Sequence, residues 1–318
     1  MRVALTGGTG FVGTHLVRLL VERGHAVSAL VRTPAKADVL RELGCRLVPG
    51  DLEDGAARRA LLSGAEVVYH VAGLIGAPAL AEFRRVNRDA TELLARDARE
   101  AGVARFLLVS SLAVTGPSPR GVSLDERSGP GPVTDYGRSK QEGEAVVRAT
   151  SVPLTIVRPS AVYGPGDRAF LTLFQLAARG FFPLLGDGRQ ELSLVFGPDL
   201  ARGLVAAAES PATLGGTYHA AHAEVVTARG LGELLGRTLG RRVRFPRLPG
   251  PIVRALLGAA DLTGIPGLPA PDKAHELLAP AWRASSEAIR RDAGWSAQIG
   301  IERGIPETAA VYRSAGWL

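Results

Sequence analysis

Short, largely apolar runs with the look of strands lie at 3–5, 27–31, 46–48, 67–71, 106–109 and 154–157. Between them, at about 12–23, 34–43, 54–62, 82–101 and 136–149, apolar positions recur every three or four residues. The short runs read as buried strands and the spaced stretches as amphipathic helices. Strands alternating with helices of this length predict an α/β fold, a doubly wound parallel sheet covered on both faces.

After Arg158 the rhythm changes. Gly and Pro crowd into "RPSAVYGPGD", a short apolar helix is expected at 169–179, and "GFFPLLGDGR" follows. A strand-like "ELSLVF" and a helix at 198–209 then resume the earlier alternation, which predicts a return to the large sheet. From about 223 onward, helices alternate with turns such as "LPGPIV" and "GIPGLPAP". The expected division is a nucleotide-binding domain of residues 1–165 plus 190–222. A smaller, discontinuous C-terminal substrate domain would take 166–189 plus 223–318.

Composition narrows the classes. The 318 residues suffice for one large domain or two smaller ones, and 46% hydrophobic with 22% charged residues is ordinary for a globular protein. The net charge of +7 raises nucleic acid as a partner, but the arginines are spread along the chain, in clusters no longer than "RRVRFPR" at 241–247. With 5% aromatic residues there are few platforms for base stacking, so no nucleic-acid partner is expected. No apolar run approaches the ~18 residues of a membrane span, so no membrane partner is expected either. The N-terminus opens on an apolar strand without the features of a signal peptide. The single cysteine, Cys45, has no partner for a disulfide and reads as a small buried hydrophobe, which fits a cytoplasmic protein.

The first strand runs into "TGGTGFVGTHLVRLL", with Gly7, Gly10 and Gly13 at three-residue intervals ahead of an apolar helix face. Glycines at a strand-to-helix turn let the backbone approach a pyrophosphate, which the helix N-terminus then holds. The context makes this a Rossmann-type dinucleotide loop. At the end of the second strand, where an acidic residue would hold the ribose of NAD, the chain reads Val31-Arg32, with no carboxylate until Asp38. Arg32, aided by Lys36 or Thr33, suits a 2′-phosphate, so NADP is the expected cofactor and NAD the lesser alternative. No metal site is expected.

Of 38 basic residues only three are lysines: Lys36, Lys140 and Lys273. Lys140 follows Tyr136 by four residues, which puts both on one helix face. Ser110 and Ser111 end the fifth strand, where doubly wound sheets bind ligands. A phenol, with a pKa of about 10, is a poor proton carrier at neutral pH, and a neighbouring ammonium favours its phenolate. A serine hydroxyl aimed at the same point would hold a substrate oxygen.

The joint occurrence of "TGGTGFVG", "GDLED", "VYHVAG", "VNRDAT", "VSSLAVTG", "YGRSK" and "RPSAVYGPGD" resembles the extended short-chain dehydrogenase/reductase superfamily, its NAD(P)-dependent epimerase/dehydratase group. "GDGRQELSLVFGPDLARG" is similar to the same family. The resemblance implies that Gly7, Gly10, Phe11, Val12 and Gly13 contact the pyrophosphate, and Asp51 and Leu52 the adenine. It implies Ala72 and Gly73 beneath the cofactor, Asn87 in support of the site, and Pro159 and Val162 near the nicotinamide. It makes Ser111, Tyr136 and Lys140 the catalytic set, with Tyr136 and Lys140 also touching the cofactor, while His70 reads as structural.

Two departures matter. Family dehydratases carry an Asp-Glu pair where this chain has Leu112-Ala113, and sugar epimerases an Arg-Asp pair where it has Leu192-Ser193. The segment is nearer to dihydroflavonol reductase and hydroxysteroid dehydrogenase-like branches. The expected activity is an NADP(H)-dependent carbonyl–alcohol oxidoreductase on a small, partly apolar substrate, in a homodimer formed through helices 82–101 and 136–149. A nucleotide-sugar epimerase is the alternative within the family; a non-enzymatic cofactor-sensing or RNA-binding protein is the alternative outside it.

Overall fold

The computed structural model describes residues 1–263 and 270–318; the Gly/Pro stretch at 264–269 lies outside the described residues. The first half alternates as β1 (Arg2–Thr6), α1 (Phe11–Glu22), β2 (Ala26–Val31), α2 (Asp38–Glu42), β3 (Arg46–Pro49), α3 (Gly55–Leu62) and β4 (Val67–His70). Helix α4 (Leu80–Arg84) passes through a π turn at Arg85–Ala90 into α5 (Thr91–Glu100); β5 (Arg105–Val109), α6 (Asp135–Ala149) and β6 (Leu154–Pro159) follow. Several helices start where the sequence supplies a cap. Asp54 accepts the N–H groups of Ala56 and Ala57, and Thr134 that of Gly137.

The later elements are β7 (Ala161–Tyr163), α7 (Arg168–Ala178), β8 (Leu184–Leu185), β9 (Glu191–Phe196), α8 (Gly197–Glu209) and β10 (Thr217–Ala220). Then come β11 (Val225–Thr227), α9 (Ala228–Leu239), β12 (Arg247–Leu248), α10 (Gly250–Thr263), α11 (Lys273–Leu277), β13 (Ala281–Trp282), α12 (Glu287–Ala293) and α13 (Ile301–Ser314).

Seven strands form one parallel sheet in the order β10-β6-β5-β4-β1-β2-β3, so the expected doubly wound architecture is present. Along β1 the side chains divide between faces: Val3 and Leu5 join a core with Leu16, Leu20, Leu200 and Leu204, while Ala4 joins Leu61, Leu94 and Val147 on the other side. That is why the strands read as largely apolar runs.

One expectation is corrected. "ELSLVF" forms β9, but it pairs with β7, β11 and β13 in a small separate sheet. The place beside β6 is taken by β10, which the preceding α8 delivers in parallel across the sheet face. The small unit has its own core, with Tyr163, Phe174, Leu194, Phe196, Leu234 and Ile305.

Candidate active site

β1 gives way to Gly7, whose φ of +76° suits glycine and whose added Cβ would stand 2.6 Å from the Ala72 amide nitrogen. Gly13, in the first turn of α1, approaches so closely that a Cβ would stand 2.0 Å from the Gly7 carbonyl oxygen. Gly10 is the N-cap and provides no side-chain cap, so the first-turn N–H groups around Phe11, Val12 and Gly13 are left for an anion. A backbone closed this tightly by glycines, with uncapped N–H groups at the helix start, fits a dinucleotide pyrophosphate.

The other cofactor candidates lie along the same carboxyl edge. Arg32 and Thr33, just past β2, and Lys36 are exposed. Asp51 follows β3 and accepts the N–H groups of Glu53 (2.8 Å) and Asp54 (3.1 Å), and Leu52 packs against the core. The Ala72 N–H donates to Thr6 Oγ1 at 3.3 Å. Pro159 ends β6 opposite Ala220, and Val162 on β7 packs against the core. A cofactor lying along this edge would span the point between β1 and β4 where the strand order reverses.

Helix α6 brings the reactive side chains to that edge. The Ser111 hydroxyl lies close enough to the Tyr136 phenol to influence its titration, and Ser111 Oγ accepts the Ala113 N–H at 3.1 Å. Ser110 turns the other way and donates to the buried Glu144 at 2.6 Å, so the two adjacent serines divide into one facing the tyrosine and one structural. Lys140 Nζ donates to the Val109 carbonyl at 2.9 Å and lies 3.3 Å from where a Cβ on Gly73 would be, as does Asn87 Oδ1. Asn87 sits in the π turn, clamps Leu74 through both amide atoms (2.8 and 2.9 Å), and donates to Ser139 at 3.0 Å. Two glycines let α6 dock this tightly: a Cβ on Gly143 would stand 2.1 Å from the Asn87 carbonyl oxygen, and one on Gly137 2.6 Å from that of Ala113.

The electrostatics correct a second expectation. Burial pushes the Tyr136 phenol up to about 12; the Ser111 hydroxyl opposes the shift and Glu276 adds to it. Burial brings Lys140 down to about 8, with Glu144 opposing. The ammonium is committed to the Val109 carbonyl, and the phenol is not lowered toward neutrality. At pH 7 the Tyr136 phenol carries its proton.

A cover over this site was not legible in the sequence. Asp272 accepts the Asp135 N–H (2.7 Å) and Glu276 accepts the Thr134 hydroxyl (2.7 Å), so residues 272–276 close over the start of α6. Lys273, ion-paired to Glu276, lies 6.0 Å from the centre of the Tyr136 ring. Two of the chain's three lysines therefore flank Tyr136, and their scarcity was the one available signal.

Beneath the site, Glu144 accepts two hydrogen bonds from Arg158 (2.8 and 2.7 Å), and Arg158 reaches Thr115 at 3.2 Å. His70 bridges Thr6 (2.7 Å) and Thr91 (2.9 Å) and is fully buried, which drives its pKa down to about 3. Its folded-state value lies below its unfolded value, so its contribution is whole above about pH 6.5 and is lost as the pH falls. Urea titrations should show His70→Asn losing stability less steeply than the parent between pH 6.5 and 5, by about 1.4 kcal/mol per pH unit. Parallel slopes would assign the acid sensitivity elsewhere.

Among the described residues no group of three His, Cys, Asp or Glu side chains is gathered as for a metal, and no helix is long and apolar enough to cross a membrane. Residues 3–221 match the NAD dependent epimerase/dehydratase family. The chain is 38% identical to the ceramide reductase of Caulobacter vibrioides, over 99% of this chain and 96% of that one. It is 29% identical to the 4-hydroxy-2-methyl-3-oxo-4-farnesyl-3,4-dihydroquinoline-1-oxide ketoreductase of Stigmatella aurantiaca, over 96% of this chain and 95% of that one. The UDP-glucose 4-epimerase structure from Thermotoga maritima superposes with a TM-score of 0.82 at 20% identity, over 99% of both chains. With the glycine cradle and the parallel sheet already in place, these matches settle the family: the chain belongs to the NAD-dependent epimerase/dehydratase family of extended short-chain dehydrogenases/reductases and is an NAD(P)-dependent enzyme.

Proposed function

We propose that the protein is an NADP(H)-dependent reductase that interconverts a carbonyl and an alcohol on a partly apolar substrate. The observation that carries this reading is the buried, protonated Tyr136 near Ser111, one helical turn ahead of the buried Lys140. Bound NADPH supplies the hydride. Ser111 orients the substrate oxygen, Tyr136 gives it the proton, and Lys140, held by the Val109 carbonyl between Gly73 and Asn87, stands ready for the cofactor ribose. Gly7, Gly10, Phe11, Val12 and Gly13 would hold the pyrophosphate and Asp51 and Leu52 the adenine. Ala72, Gly73, Pro159 and Val162 would line the nicotinamide side. The small unit would supply the substrate pocket.

Residues of the small unit and the β5 end support an uncharged substrate. Leu192 packs in the apolar core of the small unit. Of the three arginines that could meet sugar-nucleotide phosphates in place of an arginine at 192, Arg283 is held by Glu191 at 2.9 Å and Arg168 lies over the Trp317 ring at 4.8 Å, which leaves the exposed Arg189. Leu112 and Ala113 are buried and leave no acid–base pair for elimination. A buried phosphate without a partner costs several kcal/mol, which favours an uncharged substrate. The two relatives above are both named as reductases. The test is NADPH oxidation with aromatic, steroidal and long-chain ketones against UDP-glucose. Turnover with ketones alone is expected, and micromolar binding of UDP-glucose to the cofactor-loaded enzyme would reverse the assignment.

For the cofactor, Arg32 is exposed at the β2 end with no ion-pair partner among the described residues, and no carboxylate is there to meet a ribose hydroxyl. NADPH should bind at least ~10-fold tighter than NADH, about 1.4 kcal/mol, and Arg32→Ala should erase most of that. Fluorescence titration with both nucleotides decides it, and equal affinities in the parent would count against NADP. A homodimer through α4–α5 and α6 is part of the same reading.

A further inference from the structure

The positive charge of this chain is not evenly placed on its surface. Segments 178–186 and 241–259 contain Arg179, Arg241, Arg242, Arg244, Arg247 and Arg254 and no carboxylate. All six arginines are exposed. The neighbouring Arg229 and Arg237, by contrast, each hold a glutamate. The two segments are joined in space: the Phe182 N–H donates to the Arg244 carbonyl and the Leu184 N–H to that of Pro246, both at 2.9 Å, and β8 pairs with β12.

Helix α10 lies on this ribbon. Its Val253 and Leu257 pack against Leu185, Leu248 and Leu278. Its other side turns Ile252 (48% exposed) and Leu256 (57% exposed) to water, and Phe181 at the ribbon's end is 47% exposed. A helix facing water ordinarily carries charged residues on that side. Here, between residues 250 and 259, it carries only Arg254. Unpaired apolar side chains beside a carboxylate-free set of arginines match a surface with apolar depth and anionic headgroups.

We propose that this face docks on an anionic phospholipid bilayer, with α10 lying in the headgroup plane, Ile252 and Leu256 directed inward and the arginines on lipid phosphates. The apolar cluster that seats α10 includes Ala274 and Leu277 of the cover whose Lys273 and Glu276 stand at Tyr136 and Thr134. Docking therefore sets the active-site cover beside the lipid from which an apolar carbonyl compound would partition. That last step rests on the reductase reading; the surface contact does not. A surface contact needs no membrane-spanning segment.

Flotation of the full chain with vesicles separates the cases. Vesicles of phosphatidylcholine mixed with phosphatidylglycerol should bind at least ~10-fold more protein than phosphatidylcholine alone, with the difference falling as salt is raised. The double variant Ile252→Ser/Leu256→Ser should lose ~10-fold of that binding, yet keep NADPH affinity and the reduction of a water-soluble ketone. Failure of the parent to float, or equal flotation of the variant, overturns the proposal. So does a variant that leaves flotation unchanged but shifts the sedimentation coefficient, since the face would then join two copies of this chain. Flotation requires no turnover, so a chain that floats yet reduces no ketone refutes the reductase reading and leaves the docking surface standing.

Discussion

Tyr136→Phe should lower turnover by about 10² or more while NADPH affinity is retained. The substitution removes the proposed proton donor but almost no volume, and positioned general acids contribute about 10²–10⁴ in rate. Lys140→Arg should also impair the enzyme. The slot beneath Gly73 is bounded by Asn87 and the Val109 carbonyl, and a planar guanidinium does not take the place of a compact ammonium there. Steady-state NADPH oxidation with the best ketone, paired with a nucleotide titration, checks both variants. Near-full activity of Tyr136→Phe would mean that another group supplies the proton.

The second large effect is on stability. Glu144 and Arg158 are both buried and joined by two hydrogen bonds. Glu144→Gln would leave the guanidinium buried without its countercharge, at a cost of about 3–5 kcal/mol in urea unfolding. The double variant Glu144→Leu/Arg158→Met should recover much of that loss, because it removes both charges. Arg158 holds the Glu144 carboxyl below the usual range despite burial. The pair's stabilisation is thus present above the unfolded carboxylate pKa and is lost as the pH falls through the lowered folded value. A double variant no more stable than Glu144→Gln would show that the loss comes from packing.

Local features of the site were legible and distant ones were not. The glycine loop and the Tyr136–Lys140 spacing each lie within one turn or helix, so residue spacing reveals them. The place of β9 was misread because its pattern also suits a small sheet, and the short β11 and β13 that pair with it carry little periodicity. The phenol's raised pKa depends on burial, which spacing does not report. The cover at 272–276 meets α6 across some 140 residues of chain, beyond any local rule.

The close seating of α6 has a consequence for how such an enzyme diverges. At Gly137 and Gly143 the helix meets neighbouring carbonyl oxygens at distances that no side chain tolerates, so the station of Tyr136 and Lys140 is set by backbone against backbone. Substitutions in the substrate pocket do not reach that contact. On the proposed reductase reading, new substrates would be sought by redrawing segments 181–193 and 270–283 around an unmoved Tyr136–Lys140 pair. A library confined to those segments but sparing 272–276, which touch Thr134, Asp135 and Tyr136, should vary specificity with the chemistry held constant, whereas one that includes 137 or 143 should yield mostly inactive proteins.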